Sequence, residues 1–422
     1  MAGDSEKPSR IRYQFLVSCF SKRTQRDIPS SSSSESSNFC LNDLQDLLIE
    51  VFQRLPTTKS AFLCKCVCKN WYSMISTPYF ACRFITHNFN SRYKQKPSAL
   101  IVNYINDRNG IGLLTLSDEP MFKSEGFELN YLPERNGSVR VSAVFNDLMV
   151  CSVDEFGYGK LRFYICNPFT MQWVSLPSLD YGIDIVYPSR VGFVCEPYYF
   201  EDSRGKCTIN CRYRFRVVQF FYKQTDRQLI VWTCCSETQT WCKSVFEVLE
   251  YRWLKNVVAY NGKLLWYSGK HVVAYDPFNL ELSTFIDCFH ITGDSRITVF
   301  RGVLRLMELV DLGTSWSLAI WKLKDYNKGE WSLENQVDLH TMIPESSLVQ
   351  EIVDDVYQVC ELLGCDGDIV YLQFETSVLS CNMRTKELKM AGKIPGESYF
   401  YCLEKAFHIE LPLWPTPIAS PN

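Results

Sequence analysis

Apolar and polar positions along this chain fall into two textures. Between residues 44 and 55 the apolar side chains are Leu44, Leu47, Leu48, Val51, Phe52 and Leu55, the i, i+3, i+4, i+7, i+8, i+11 spacing of one helical face. Asn42 or Asp43 is placed to cap the start of this helix, and Pro56 to stop it. A second short helix is expected from Thr57 or Thr58 to about Lys65, and a third ending near Thr77-Pro78. Three short helices within residues 41–90 make a module below the size that usually folds unaided. It is either a cap packed on a larger domain or a module completed by a partner. Ahead of it, residues 1–40 contain PSSSSSESSN (29–38), which has almost nothing to bury and reads as a disordered leader.

After Pro97 the pattern changes to short apolar runs separated by turn signals, and an internal repeat emerges. In its first copy LMVCSV and RFYIC precede Asn167-Pro168-Phe169-Thr170 and Trp173. RVVQFFY and LIVWTC precede Thr238 and Trp241; GKLLWYS and HVVAY precede Asp276-Pro277-Phe278-Asn279 and Leu282. GVLRLME and LAIWKLK precede Asp325, Lys328 and Trp331; GDIVYLQ and SVLSC precede Asn382, Thr385 and Leu388. Paired β-runs with Asn-Pro or Asp-Pro opening a type I turn describe a hairpin-rich blade. The bulky residue that follows is expected to return to the core. Anchors at 167, 235, 276, 325 and 382 recur mostly at intervals in the forties and fifties, a period that suits a β-propeller of four-stranded blades. SALIVNY and GLLTLSD (98–118) are placed to begin a further blade that AFHIEL closes. The expectation is therefore a mainly-β propeller of about six blades over residues 97–412. A β-sandwich is the competing architecture, and the repeated turn chemistry favours the propeller.

Composition narrows this reading. A length of 422 residues allows more than one domain, no apolar run approaches the roughly 20 residues of a membrane span, and a net charge of −3 gives no field that draws nucleic acid or membrane. Asp4 and Glu6 depart from the acid-poor composition of an organelle transit peptide, and RYQFLVSCF is followed by basic, Ser-rich sequence rather than a cleavage site. The 19 cysteines are then expected reduced, in cytosol or nucleus. Three of them crowd CKCVCKNW (64–71). CxCxC is not zinc spacing, and on a helix Cys66 points away from Cys64 and Cys68. With a break near Cys64, Val67, Cys68, Trp71 and Ile75 stay on one apolar face, so the segment reads as packing rather than metal or redox chemistry.

LQDLLIEVFQRLP followed by CVCKNWYSMISTPYF resembles the F-box of plant F-box proteins, across about residues 41–85. The repeat region, with ICNPFTMQWVSLP as its clearest line, resembles the F-box-associated, kelch-like propeller that follows such boxes. The family usually opens its first helix with Leu-Pro, whereas Gln45 follows Leu44 here. This resemblance implies a non-catalytic substrate receptor of an SCF-type ubiquitin ligase. The helices would dock on a Skp-type adaptor held by a cullin, and the propeller would hold a target protein for ubiquitin-dependent degradation. Leu44, Leu47, Leu48, Leu55, Pro56, Val67, Cys68 and Trp71 are the positions it carries over as adaptor-facing or supporting that face.

Other chemistry is sparse. Five histidines lack HxH or HExxH spacing, and no P-loop, GxGxxG or GxSxG occurs. No cofactor or metal is expected. A copper oxidase on a kelch-type propeller would need converging His and Tyr ligands, which the scattered histidines do not supply. CRYRFR (211–216) alternates, with Arg212, Arg214 and Arg216 on one strand face opposite Tyr213 and Phe215. EPYYFEDSR, with Tyr198 and Tyr199, and DLGTSW, with Trp316, read as aromatic loops. These six are the candidate target-binding residues. The second functional reading is an interaction scaffold whose box has lost its adaptor.

Overall fold

The computed structural model describes residues 37–418, apart from 90–97, 105–109, 116–128, 134–138, 156–159, 183–189, 202–206, 224–225, 249–254, 269–270, 288–293, 301, 327, 355–359, 394–405 and 411. The expected leader lies outside the described residues up to position 36. The chain divides into a helical unit, residues 1–95 together with 198–211, and a β unit, residues 96–197 and 212–422.

Among the described residues four helices form in the N-terminal region, where three were expected. The first, α1 (Ser37–Phe52), begins well before Asn42 and Asp43, so neither caps it, and it stops at Phe52 rather than at Pro56. Next come α2 (Thr58–Lys65) and α3 (Lys69–Ile75). The fourth, α4 (Pro78–Phe89), starts where the sequence reading saw only an end. Pro78 opens the helix at a position that needs no backbone N–H. Thr77 Oγ1 accepts the Phe80 N–H at 3.1 Å; Thr57 does the same for Ser60 in α2. Phe52, Ala61, Met74, Ile75, Phe80, Phe84 and Ile85 form the buried interior. Arg83 of α4 ties the end of α1 by donating to Gln53 Oε1 and Glu50 Oε2, both at 2.8 Å, and Asn88 reaches the Gln53 carbonyl at 3.0 Å. The unit also includes a hairpin, Tyr199–Glu201 paired with Cys207–Ile209. Cys82 Sγ of α4 donates to the Cys207 carbonyl at 3.0 Å.

The β unit is a propeller whose innermost strands follow one another around a ring. Blade 1 comprises Arg140–Phe145, Leu148–Glu155, Lys160–Asn167 and Gln172–Ser175. Blade 2 comprises Arg190–Cys195, Phe215–Lys223, Gln228–Cys235 and Trp241–Glu247. In blade 3 the strands are Lys255–Tyr260, Lys263–Tyr267, His271–Asp276 and Glu281–Asp287; in blade 4, Asp294–Phe300, Val303–Asp311, Trp316–Asp325 and Glu330–Asp338. Blade 5, Cys360–Asp366, Ile369–Phe374, Ser377–Asn382 and Glu387–Lys393, gains a parallel fifth strand, Ile343–Pro344, leading to α5 (Ser347–Asp354). Among the described residues the complete blades therefore number five, not about six. The segments expected to begin and close a further blade do pair, but as a three-stranded sheet: Ala406–Glu410 beside Ser98–Tyr104 beside Gly110–Thr115.

Strands in the middle of blades are covered on both faces, which is why FRVVQFFYK is a nearly unbroken apolar run with eight of its nine residues buried. The turn anchors work as their chemistry requires. Asn167, Asp276 and Asn382 each accept the backbone N–H two residues on, at 2.9–3.0 Å, and Asp325 accepts from Lys328 at 3.2 Å. Four residues past each anchor the backbone is left-handed: Met171, Gln239, Leu280, Gly329 and Lys386 have φ between 54 and 65°. The bulky residue beyond returns fully to the core only as Leu388. Trp173 stays 39% exposed, edge-on to Tyr164, and Trp241 is half-buried, its indole N–H reaching the Pro177 carbonyl of the preceding blade at 2.7 Å.

Candidate docking face and target surface

In CKCVCKNW the helix break falls later than expected, between Cys66, which caps the end of α2, and Cys68, which caps the start of α3. Cys68 Sγ accepts the Trp71 N–H at 3.5 Å. The reading of this segment as a packing face needs correction on two counts. Two cysteines occupy helix-cap positions, and Val67, stranded between two short helices, is 62% exposed. Only Trp71 and Ile75 turn inward. Trp71 packs edge-on to Phe52 of α1, ring centroids 4.6 Å apart, and Ile75 is fully buried.

The single apolar stripe of α1 also splits in two. Phe52 is buried, with Leu48 and Ile49 half-buried beside it, whereas Leu47 and Val51, one turn apart, point to solvent. Leu47, Val51, Leu63, Val67 and Tyr72 are each 58–63% exposed. Pro56 and Cys68 are exposed, and Leu55 is half-buried. The side chain of Leu44 lies outside the described residues. Large apolar side chains left open on three successive helices are what a module needs if another protein is to complete it. Val51, Leu63 and Tyr72 belong with this group, although the sequence had placed Val51 only on the helix face and had not singled out Leu63 or Tyr72. The i+4 step from Leu47 to Val51 was the available signal. Around the group, Glu50 is drawn below the ordinary carboxylate range, chiefly by its hydrogen bond from Arg54. Burial lowers the Lys65 ammonium to about 8, with its Nζ 4.3 Å from the centre of the Phe62 ring.

The six target-binding candidates are divided between the two units. Tyr198 is buried and Tyr199 half-buried in the hairpin of the helical unit, where Phe200 is the exposed aromatic. In the β unit, Arg212 and Arg214 are exposed opposite buried Tyr213 and Phe215, as alternation predicts, but Arg216 breaks the pattern. It enters the body of blade 2 opposite Cys235, is buried, and forks onto Glu237 with Nη2 to Oε1 at 3.0 Å. Arg214 Nε and Nη2 both donate to Glu196 Oε1, and both guanidinium groups lie over the Phe278 ring, at 5.3 and 4.6 Å. Arg216 is thus taken up by an internal pair, while Arg214 stays exposed beside Glu196. Trp316 packs against the core shared by blades 4 and 5, and Leu312 is the exposed apolar residue of its loop. Beside blade 3, a shallow groove is lined by Phe246, Lys263, Asp276, Leu280 and Leu282.

Among the described residues no three His, Cys, Asp or Glu side chains gather to hold a metal ion, and no helix is long and apolar enough to cross a membrane. Burial pushes the Cys234 and Cys381 thiols up to about 12, which keeps them un-ionised and unreactive.

Residues 44–83 match the F-box domain, and residues 123–405 match the family described as F-box protein At3g26010-like, beta-propeller. The chain belongs to that family. It is similar to the F-box protein At5g49610 of Arabidopsis thaliana, 27% identical over 87% of this chain and 93% of the relative. It also resembles the putative F-box protein At1g30920 of the same plant, 26% identical over 68% of this chain and 71% of the relative.

Proposed function

We propose that this chain is the substrate-receptor subunit of an SCF-type ubiquitin ligase. The observation that carries this reading is the set of five exposed apolar residues, Leu47, Val51, Leu63, Val67 and Tyr72, on a helical module matching the F-box. These side chains, with Pro56 and Cys68 among them and Leu48, Leu55 and Trp71 supporting from beneath, would dock on a Skp-type adaptor and through it on a cullin. The propeller would hold a target protein. The subunit performs no bond chemistry of its own; it raises the effective concentration of the target near the ubiquitin-bearing enzyme, in nucleus or cytoplasm.

Binding of the full chain to a Skp-type adaptor tests the proposal. Wild type is expected to bind, and a Val51→Asp, Val67→Asp double variant to lose binding by at least about a hundredfold, since two desolvated apolar contacts of about 1.5–3 kcal/mol each are replaced by charge. A wild-type chain that binds no adaptor would favour the second reading, a scaffold with a degenerate box. One observation supports that alternative: α1 runs without a break from Ser37 through Leu44-Gln45, where related boxes start with Leu-Pro.

A further inference from the structure

We infer that residues 412–418, PLWPTPI, form a second closure of the propeller ring, a strap fastened across blade 1 to the start of blade 2. The first closure is the pairing of the C-terminal strand Ala406–Glu410 with Ser98–Val102. That seam is short, with a five-residue strand in a sheet of which three strands are described, where the complete blades have at least four. The strap follows that strand in the chain and fastens its end to the next blades. Leu413, Trp414 and Thr416 are 5–8% exposed, so the segment is packed like core.

Its polar fastenings come from three places. Asp147, in the tight turn between the first two strands of blade 1, is 1% exposed. Its carboxylate accepts the Thr416 backbone N–H at 2.7 Å and the Thr416 hydroxyl at 2.8 Å. Asn167, the turn anchor of the same blade, donates from Nδ2 both to Asp147 and to the Thr416 carbonyl, each at 2.7 Å. Farther along, the Tyr213 hydroxyl, just before the second strand of blade 2, donates to the Pro417 carbonyl at 2.6 Å. The Ile418 N–H reaches Gln172 Oε1 at 3.3 Å. A buried carboxylate is costly without donors, so Asp147 and the strap depend on each other: release of Thr416 removes two of the three hydrogen bonds Asp147 accepts here. Pro412, Pro415 and Pro417 stiffen the segment, which reduces the entropy lost on fastening it.

The strap predicts a local effect, which hydrogen exchange by mass spectrometry resolves. Two variants of the full chain suffice: a stop after Glu410, and the milder Thr416→Val, Tyr213→Phe pair, which removes two hydroxyls and no backbone. In both, amides of 98–104, 140–153 and 161–167 are expected to exchange about tenfold faster or more, while 263–276 and 303–325 keep wild-type rates. Unchanged exchange throughout the milder variant would overturn the inference. A rise of equal size in all blades would overturn it too, because it would mark loss of general stability rather than an opened seam.

Discussion

At the scale of single residues, backbone geometry makes the sharpest demands. Met171 and Lys386 are exposed and left-handed, a conformation that costs an L-residue about 1 kcal/mol and glycine almost nothing. Met171→Gly and Lys386→Gly are each expected to stabilise the propeller by about 0.5 kcal/mol, after the greater freedom of glycine in the unfolded chain is subtracted. The equivalent Gly329→Ala should cost about 1 kcal/mol; chemical denaturation reads all three. Gly192 has a different reason to be glycine, since an added Cβ would stand 2.4 Å from Leu264 Cδ1 of blade 3. Gly192→Ala is expected to cost about 1–3 kcal/mol by overpacking, seen as a lower denaturation midpoint. Charge gives a further test. The hydrogen bond from Arg216 is the largest of the effects that lower Glu237, from 4.5 to about 2. Because the folded value lies below the unfolded one, the pair stabilises fully above pH 4.5 and loses its effect as pH falls towards 2. The gap in melting temperature between wild type and Glu237→Gln should close across that window.

At the scale of elements, periodicity placed α2 and α3 closely and named the turn anchors of all the complete blades. It failed where one signal served two purposes. Thr77-Pro78 both ends α3 and starts α4, and reading proline only as a terminator hid the fourth helix. The apolar stripe of α1 likewise gave a face without saying which half of it the module could cover. Four short helices have too little interior for every leucine, so Leu48 goes in and Leu47 stays out. Alternation put Arg214 and Arg216 on one face, and both lie over Phe278, but it could not show that Arg216 is buried against Glu237, 21 residues away and no neighbour in sequence. Thr77→Ala is expected to weaken α4 by about 1 kcal/mol through loss of its cap, with exchange rising in residues 78–84.

At the scale of the molecule, two units with unlike texture were legible before any coordinates, because a 3.6-residue period gives way to short β-runs after Pro97. The sheet at the seam was legible as segments but not as a count, since strand number depends on which distant pieces meet: Ala406 pairs with Val102, and no local rule links them. The hairpin at 199–209 was invisible for the same reason. It is read from within blade 2, yet it completes the helical unit. That has a consequence for how the protein is made. Cys207, which receives the Cys82 thiol, is 125 residues downstream of it. At roughly 5–20 residues per second a ribosome needs about 6–25 seconds to bridge that interval. During this time α4 is outside the tunnel without its last strand, and a nascent chain stalled before residue 198 should carry helices that proteases and chaperones still recognise as unfinished.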